Sequence, residues 1–339
     1  MRLLTYISIF ILLLTRDAAA QQLHFSQYFN TPLLVNPANT GFNPDYDYRI
    51  GGSYRNQWAN MLSNPYQTTN LWGDAQLFIN KIESGWAGIG GTIYKDQAGT
   101  GNLSTTQGYL SFAYHHMAGN SSLLSLGFNA GMVNQQVDAS KLIFDNQWNN
   151  TSGQFNGGIG ESLDKTNINY FDLHVGVNYA YFLNDRAYFN LGLSAEHLNT
   201  PTASFFAASS GLSQKVPVRY NFFLNANYKI EDLWILNPNM YISESNGSNE
   251  VVLGINVMRN LSDDGTKQLI AGVYYRNKDA IIPMVGYQTN DLMFTVNYDI
   301  TTSALSKLNG LQGAYEASII KRAIYMKGHR GIKCPVMKF

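Results

Sequence analysis

The sequence predicts a transmembrane antiparallel up-and-down β-barrel of about 14 strands, with a non-strand N-terminal segment and a basic C-terminal tail. Between Tyr46 and Tyr325, apolar and small polar residues alternate in segments. These are roughly 9–11 residues long, the length that a tilted strand needs to cross a bilayer. The connections alternate between short and long, and only 14% of the residues are charged while 45% are hydrophobic. A soluble β-sandwich typically has shorter strands, so these observations favour a membrane barrel.

The segment 292–300 shows the alternation clearly. One face carries Leu292, Phe294, Val296, Tyr298 and Ile300, and the other carries Met293, Thr295, Asn297 and Asp299. A period of two residues places one face against apolar surroundings and the other against polar ones. Segments 169–182 and 218–230 follow the same rule, with Phe223 as the exception on its polar face.

We predict fourteen strands from this pattern. They are Tyr46–Arg55, Thr68–Ile79, Trp86–Lys95, Thr105–Met117, Leu123–Gln135, Asn169–Phe182, Ala187–Leu198, Val218–Ile230, Trp234–Ser243, Val251–Met258, Gln268–Arg276, Ala280–Gln288, Leu292–Ile300 and Ala314–Tyr325. The longer connections are 56–67, 96–104, 136–168, 199–217, 244–250 and 301–313. Because outer-membrane barrels keep short turns in the periplasm and long loops outside, we expect both termini to be periplasmic.

The ends of the chain carry different signals. Met1–Ala20 has the pattern of a secretory signal, with Arg2, an apolar stretch and a small-residue cleavage site before Gln21. We therefore predict a signal peptide at 1–20, a periplasmic or plug segment at 21–44, the outer-membrane barrel at 45–325 and a periplasmic basic tail at 326–339. The tail region from Lys321 onward contains six basic and no acidic residues.

Composition and motifs argue against several functions. The formal net charge of zero predicts no nucleic-acid partner. The glycine-rich stretches 85–91 and 157–160 lack the ending of a phosphate-binding loop, and Gly88 and Gly90 indicate instead strand curvature or close packing of a plug. No His or Cys cluster has metal-ligand spacing, so no metal, cofactor or catalytic residue is predicted. We interpret Asp172, His174, Ser194 and Glu196 as hydrogen-bonded residues of the lumen.

The residues after the signal carry a more specific motif. His24-Phe25-Ser26-Gln27-Tyr28 is followed by Pro32-Leu33, by Asn36-Pro37-Ala38 and by Gly41. Together with Tyr54-Arg55-Asn56-Gln57-Trp58, the stretch from Tyr66 to Asp74 and Gly313-Ala314-Tyr315-Glu316, this closely resembles the PorP/SprF family. The Cys334-Pro335 pair is similar to that family's Cys-Pro-Arg-Phe ending, although this chain ends Cys-Pro-Val-Met-Lys-Phe.

The resemblance implies a non-enzymatic outer-membrane barrel of the Bacteroidota type IX secretion system. Members are thought to help retain at the cell surface large secreted proteins that carry a type IX C-terminal domain. Some members take part in gliding motility and associate with periplasmic parts of the machinery. For this chain it implies a secreted cargo, periplasmic secretion components and outer-membrane lipid as partners.

The sequence leaves two questions of contact and function open. The motif residues His24, Phe25, Ser26, Gln27, Tyr28, Asn36, Pro37, Ala38 and Gly41 either hold the segment against the barrel or contact a partner. Candidate cargo contacts in the loops are Trp148, Phe155, Phe205 and Phe206, and candidate tail contacts are Arg330, Lys333, Cys334 and Pro335. A passive porin or hydrophobic-solute channel is the alternative function, and an outer-membrane lipase or protease is a third.

Overall fold

Fourteen strands close into a single antiparallel barrel in the computed structural model, which describes residues 25–43, 46–79, 81–82, 84–143, 147–155, 164–206, 214–263 and 265–324. The strands are β1 (Tyr48–Gln57), β2 (Tyr66–Leu77), β3 (Gly85–Ala98), β4 (Leu103–Met117), β5 (Ser122–Gln136), β6 (Asn167–Asn184), β7 (Ala187–Glu196), β8 (Arg219–Ile230), β9 (Trp234–Ser245), β10 (Ser248–Asn260), β11 (Lys267–Arg276), β12 (Ala280–Thr289), β13 (Leu292–Thr301) and β14 (Gln312–Ala323). The predicted fold class and strand count are confirmed.

Consecutive strands pair with each other, and the first and last strands close the ring. Tyr48 lies opposite Ala323 and Gln57 lies opposite Ala314 in this closing pair. Because every strand has two neighbours, the barrel leaves no open sheet edge, as a structure in lipid requires.

Two connections that the sequence placed among the longer loops are tight turns. The strands β9 and β10 run further than predicted and leave only Asn246 and Gly247, both with positive φ, between them. Residues 99–102 likewise form a short turn between β3 and β4. The predictions of longer loops at 96–104 and 244–250 were wrong, since polar residues there continue the ladder. The connections 58–65, 137–166, 197–218 and 302–311 remain the long ones.

The alternating faces lie as predicted. In β13, Phe294, Val296 and Tyr298 are exposed on the outer surface, while Thr295, Asn297 and Asp299 are buried in the interior. Phe223, the exception in its segment, is buried inside with Leu33 and Val35 of the N-terminal segment. An apolar residue faces the lumen there because it packs against apolar residues of the N-terminal segment.

The N-terminal segment lies inside the lumen and occupies part of it as a series of short helical turns. Residues Tyr28–Asn30 and Pro37–Asn39 form 3-10 turns and Pro32–Val35 forms one turn of α-helix. A proline stands at the start of two of these turns, where its missing amide hydrogen has no cost. Most of residues 25–43 are buried, and we call them the plug. No helix in the described ranges is long and apolar enough to span a membrane.

Candidate functional site: the plugged lumen

The plug begins on a cluster of buried charges in the barrel wall. The Ser26 and Gln27 amides donate to the Glu316 carboxylate at 2.8 and 2.9 Å. The Ser26 hydroxyl donates to Asp299 at 2.8 Å. It also accepts hydrogen bonds from Arg55 at 2.7 Å and Arg276 at 2.6 Å. One small side chain therefore joins three charged residues from different strands.

The charges of this cluster pair with each other as well. Arg55 lies 2.8 Å from Asp299 and 3.3 Å from Glu316, and Arg276 lies 3.1 Å from Asp299. These four side chains are at most 4% exposed. Buried charges are tolerated when they are paired and hydrogen-bonded, and the Ser26 hydroxyl and two plug amides supply part of that bonding.

The next residues of the motif add amide and aromatic contacts. Gln27 donates to Asn297 at 2.6 Å, Tyr28 stacks on Tyr241 with ring centroids 4.9 Å apart, and Phe29 stacks on Tyr274 at 5.3 Å. Burial raises the pKa of the Tyr28 hydroxyl well above its usual value, so this ring stays neutral. These contacts bind the plug to strands β9, β11 and β13.

The Asn36-Pro37-Ala38 motif is seated on the opposite wall. The Asn36 side chain donates to the carbonyls of Val177 at 3.0 Å and Leu193 at 3.1 Å, and its oxygen accepts from the Ala38 amide at 2.8 Å. Asparagine is well suited to this position because its amide both caps the following turn and bonds the wall. The motif thus bridges β6 and β7.

Wall glycines make room for this close approach. A Cβ at Gly127 would lie 2.5 Å from the carbonyl carbon of Pro37, and one at Gly88 would lie 2.0 Å from the Thr40 carbonyl oxygen. Gly41 itself has φ of +67° and its amide donates to Asp74 at 2.7 Å. Of the two interpretations of these glycines, close packing of a plug fits Gly88, whereas a Cβ at Gly90 would first meet the Gly73 carbonyl oxygen of β2 at 2.7 Å and the Thr40 side chain only at 3.1 Å.

A cavity of about 880 Å³ lies beside Tyr28 and Phe29 of the plug. Turn residues Gly265 and Asn290 contribute to its lining, so it lies toward the end of the barrel that carries the short turns. Its wall carries several asparagines that hydrogen-bond to one another, among them Asn225, Asn227, Asn237, Asn239 and Asn256.

Three of the four predicted loop residues are exposed, and the fourth, Phe205, packs inward. Trp148 and Phe155 lie opposite each other in a small hairpin of two short strands, 148–149 and 154–155. Their ring centroids are 4.9 Å apart, and the two residues are 46% and 51% exposed. Phe206 is 36% exposed. Phe205 packs inward against a cluster containing Tyr109 and Ile168, so it contributes less exposed apolar surface than its loop position predicted.

Several predicted residues lie outside the described part of the chain. These are the signal at 1–20, His24 and the tail residues Arg330, Lys333, Cys334 and Pro335. Of the nine motif residues, the eight from Phe25 to Gly41 are described and all belong to the plug.

The interior polar residues form separate hydrogen-bonded groups. Ser194 donates to the Val35 carbonyl at 2.8 Å, and Glu196 accepts from Asn221 at 2.6 Å. Asp172 accepts from His174 at 3.0 Å and from His197 at 2.7 Å. Ser194, Glu196, Asp172 and His174 are hydrogen-bonded in the interior, as interpreted from the sequence. Nothing in the sequence indicated that His197 would contact Asp172, since this histidine is 25 residues away in the chain.

A closed fourteen-strand membrane barrel with a folded N-terminal plug resembles outer-membrane channels. Residues 17–320 match the family model described as "Type IX secretion system membrane protein PorP/SprF", and the chain belongs to this family. No curated protein is similar enough to the sequence to count as a match.

Solved channels share the fold at very low sequence identity. The CymD monoaromatic hydrocarbon channel is 10% identical with a TM-score of 0.52, and the alignment covers 91% of this chain and 95% of that one. A TodX deltaS2S3 mutant monoaromatic hydrocarbon channel is also 10% identical, with a TM-score of 0.50 and coverage of 86% and 92%. At this identity the similarity concerns the barrel architecture.

Proposed function

We propose that this protein is a non-enzymatic outer-membrane component of type IX secretion. In this role it binds a secreted cargo protein through the cargo's C-terminal domain and helps to secrete that cargo or retain it at the cell surface. Membership of the PorP/SprF family supports a role in this secretion system. The proposed role extends to gliding motility, which the family resemblance implies for some members.

The observation that carries the proposal is the anchored plug. The plug bonds to the charge cluster on one wall, to β6 and β7 on the other, and to β2 through Gly41. A segment held on opposite walls favours a closed binding platform over a passive pore. Cargo binding at such a platform requires exposed contact area, which Trp148 and Phe155 offer at the long-loop end.

The basic C-terminal tail enters this proposal on the periplasmic side. The described start of the plug lies instead toward the long-loop end, because Ser26 bonds Arg276 at the end of β11 and Asp299 near the end of β13. The long connections 137–166 and 197–218 lie at one end of the barrel, and the closing strands β1 and β14 begin and end at the other. With the usual arrangement of turns and loops, the long-loop end faces outward and the basic tail meets periplasmic components of the machinery.

Co-purification and conductance test the proposal together. A secreted protein with a type IX C-terminal domain should co-purify with the wild-type barrel from the outer membrane. The same secreted protein should no longer be displayed at the cell surface when the gene for the barrel is deleted. A Trp148→Ala and Phe155→Ala double variant should fold normally and retain less cargo, while the outward-facing control Leu110→Ala should retain it fully. Unchanged display of every such cargo in the deletion strain would refute the proposal.

Planar-bilayer recordings separate this function from a channel. Wild-type protein should show no steady conductance, and a variant lacking residues 25–43 should conduct. A steady open conductance in the wild-type protein would instead support the porin alternative.

A further inference from the structure

We propose that Asp172, His174 and His197 form a binding site for a divalent transition-metal ion of the zinc type. The site lies inside the barrel near the long-loop end. It is just beyond the last residue of β7 and beside the first residues of β6. The Asp172 carboxylate, the His174 Nε2 and the His197 Nδ1 all lie within 4.8 Å of one another, and all three residues are buried. Two imidazoles and a carboxylate are a ligand set that zinc prefers.

The distances already approach those of a metal centre. The two histidine nitrogens lie 3.0 and 2.7 Å from the same Asp172 oxygen. Ligand atoms that share a tetrahedral zinc ion at bond lengths of about 2.0–2.1 Å lie about 3.3 Å apart. The two contacts between Asp172 and the histidines therefore need to lengthen by about 0.3–0.6 Å to accept an ion.

The Asp172 carboxylate differs from three other buried acids in having no arginine partner in the described part of the chain. Asp299 and Glu316 pair with Arg55, and Asp74 pairs with Arg49. Among the described residues, Asp172 has ion-pair contacts only with the two histidines, and its side chain is 0% exposed. A buried carboxylate without a permanent cation is costly, and a divalent ion would supply the missing positive charge.

The surroundings hold the carboxylate in place. The Tyr109 hydroxyl donates to the same Asp172 oxygen at 2.8 Å, and the Leu173 amide donates to the other oxygen at 3.0 Å. Hydrogen bonds of this kind orient the ligands of protein metal sites. Tyr109 also packs against the His174 ring at a centroid distance of 4.6 Å.

The backbone turn at His197 holds its ring beside Asp172. His197 has φ of +58° and Thr200 has φ of +40°, a region that non-glycine residues rarely occupy. The surrounding contacts fix this turn, since the Leu198 amide donates to the Leu173 carbonyl at 3.0 Å. Conformations of this kind persist only when the surrounding structure fixes them. A bound ion would tie the start of the 197–218 connection to β6.

Metal binding is tested on the full-length protein in detergent after chelator treatment. We expect one Zn²⁺ per chain by dialysis and elemental analysis, and a Co²⁺ absorption spectrum typical of tetrahedral nitrogen and oxygen ligands. His174→Gln and His197→Gln should each weaken Zn²⁺ binding at least tenfold. His116→Gln is the matched control, because His116 points outward on β4 and should leave binding unchanged.

The wild-type protein gives a second readout that needs no variant to fold. Zn²⁺ should raise its melting temperature, and X-ray absorption at the zinc edge should show two imidazole nitrogens and a carboxylate oxygen among the ligands. Substoichiometric binding, equal affinity in His197→Gln and the wild type, or a zinc-edge spectrum without imidazole ligands would each overturn the proposal and leave a hydrogen-bonded cluster only.

Discussion

The fit between the plug and the wall is tested most sharply by Gly88→Ala. The new Cβ would lie 2.0 Å from the Thr40 carbonyl oxygen and 2.7 Å from its carbon, which are backbone atoms of the plug. Ordinary van der Waals contact begins near 3.4 Å. The plug backbone must therefore move by more than an ångström or detach from β3.

The structure sets the size of the effect. Moving Thr40 breaks its 2.8 Å contact with His115 Nε2, and moving Gly41 strains the 2.9 Å bond that its carbonyl accepts from Trp86. Overpacking typically costs about 1–3 kcal/mol. Each lost hydrogen bond adds about 0.5–1.5 kcal/mol. We expect the plug to lose about 2–4 kcal/mol of local stability while the barrel remains folded.

Hydrogen exchange measured by mass spectrometry reads this out directly. A loss of about 2–4 kcal/mol corresponds to roughly 30- to 700-fold faster exchange of the plug amides. Gly108→Ala on the neighbouring strand is the matched control, because a Cβ there meets no atom within 4 Å. The inference that Gly88 makes room for the plug is wrong if both variants leave the amides of residues 25–43 as protected as in the wild type. It is also wrong if both variants increase exchange of these amides equally.

Three further predictions concern the anchor, the lipid face and the loops. Ser26→Ala removes the hydroxyl shared by Asp299, Arg55 and Arg276, so exchange of the plug amides should rise with a loss of about 2–3 kcal/mol, whereas Ser152→Ala in a loop should not change it. Leu110→Lys, at a position 64% exposed on the outer face, should destabilise the barrel in lipid by about 2–4 kcal/mol. Leu308→Lys in a connection, at a position 82% exposed, should be neutral in the same unfolding titration, and equal effects would contradict the assignment of the lipid face. Trp148→Ala with Phe155→Ala should reduce retained cargo without changing the heat-modifiable migration of the barrel, and unchanged retention would exclude this pair as a contact.

Local pattern was enough to predict the barrel because strand periodicity is a property of neighbouring residues. The alternation from Leu292 to Ile300 assigns the outer and inner faces without knowledge of any partner strand. Turn lengths were less predictable, since Asn246 and Gly247 close a hairpin only when polar residues on both sides continue the ladder. The exposure of Phe205 was hard to predict for a similar reason, because the exposure of an aromatic side chain in a loop depends on what lies beneath it.

The N-terminal motif illustrates the division between sequence and tertiary structure. Its prolines and lack of strand period showed that the segment is not another strand, and its pattern indicated the family. Only the closed barrel brings Ser26 to Asp299, which is 273 residues away, and Asn36 to Leu193, which is 157 residues away. Contacts between residues so distant in the chain depend on barrel closure and on register, and no local spacing encodes them. The same closure brings His197 to Asp172 and His174. The sequence by itself thus determined that a barrel forms and that a distinct segment precedes it, while the tertiary structure decided that this segment occupies the lumen and which buried charges hold it there.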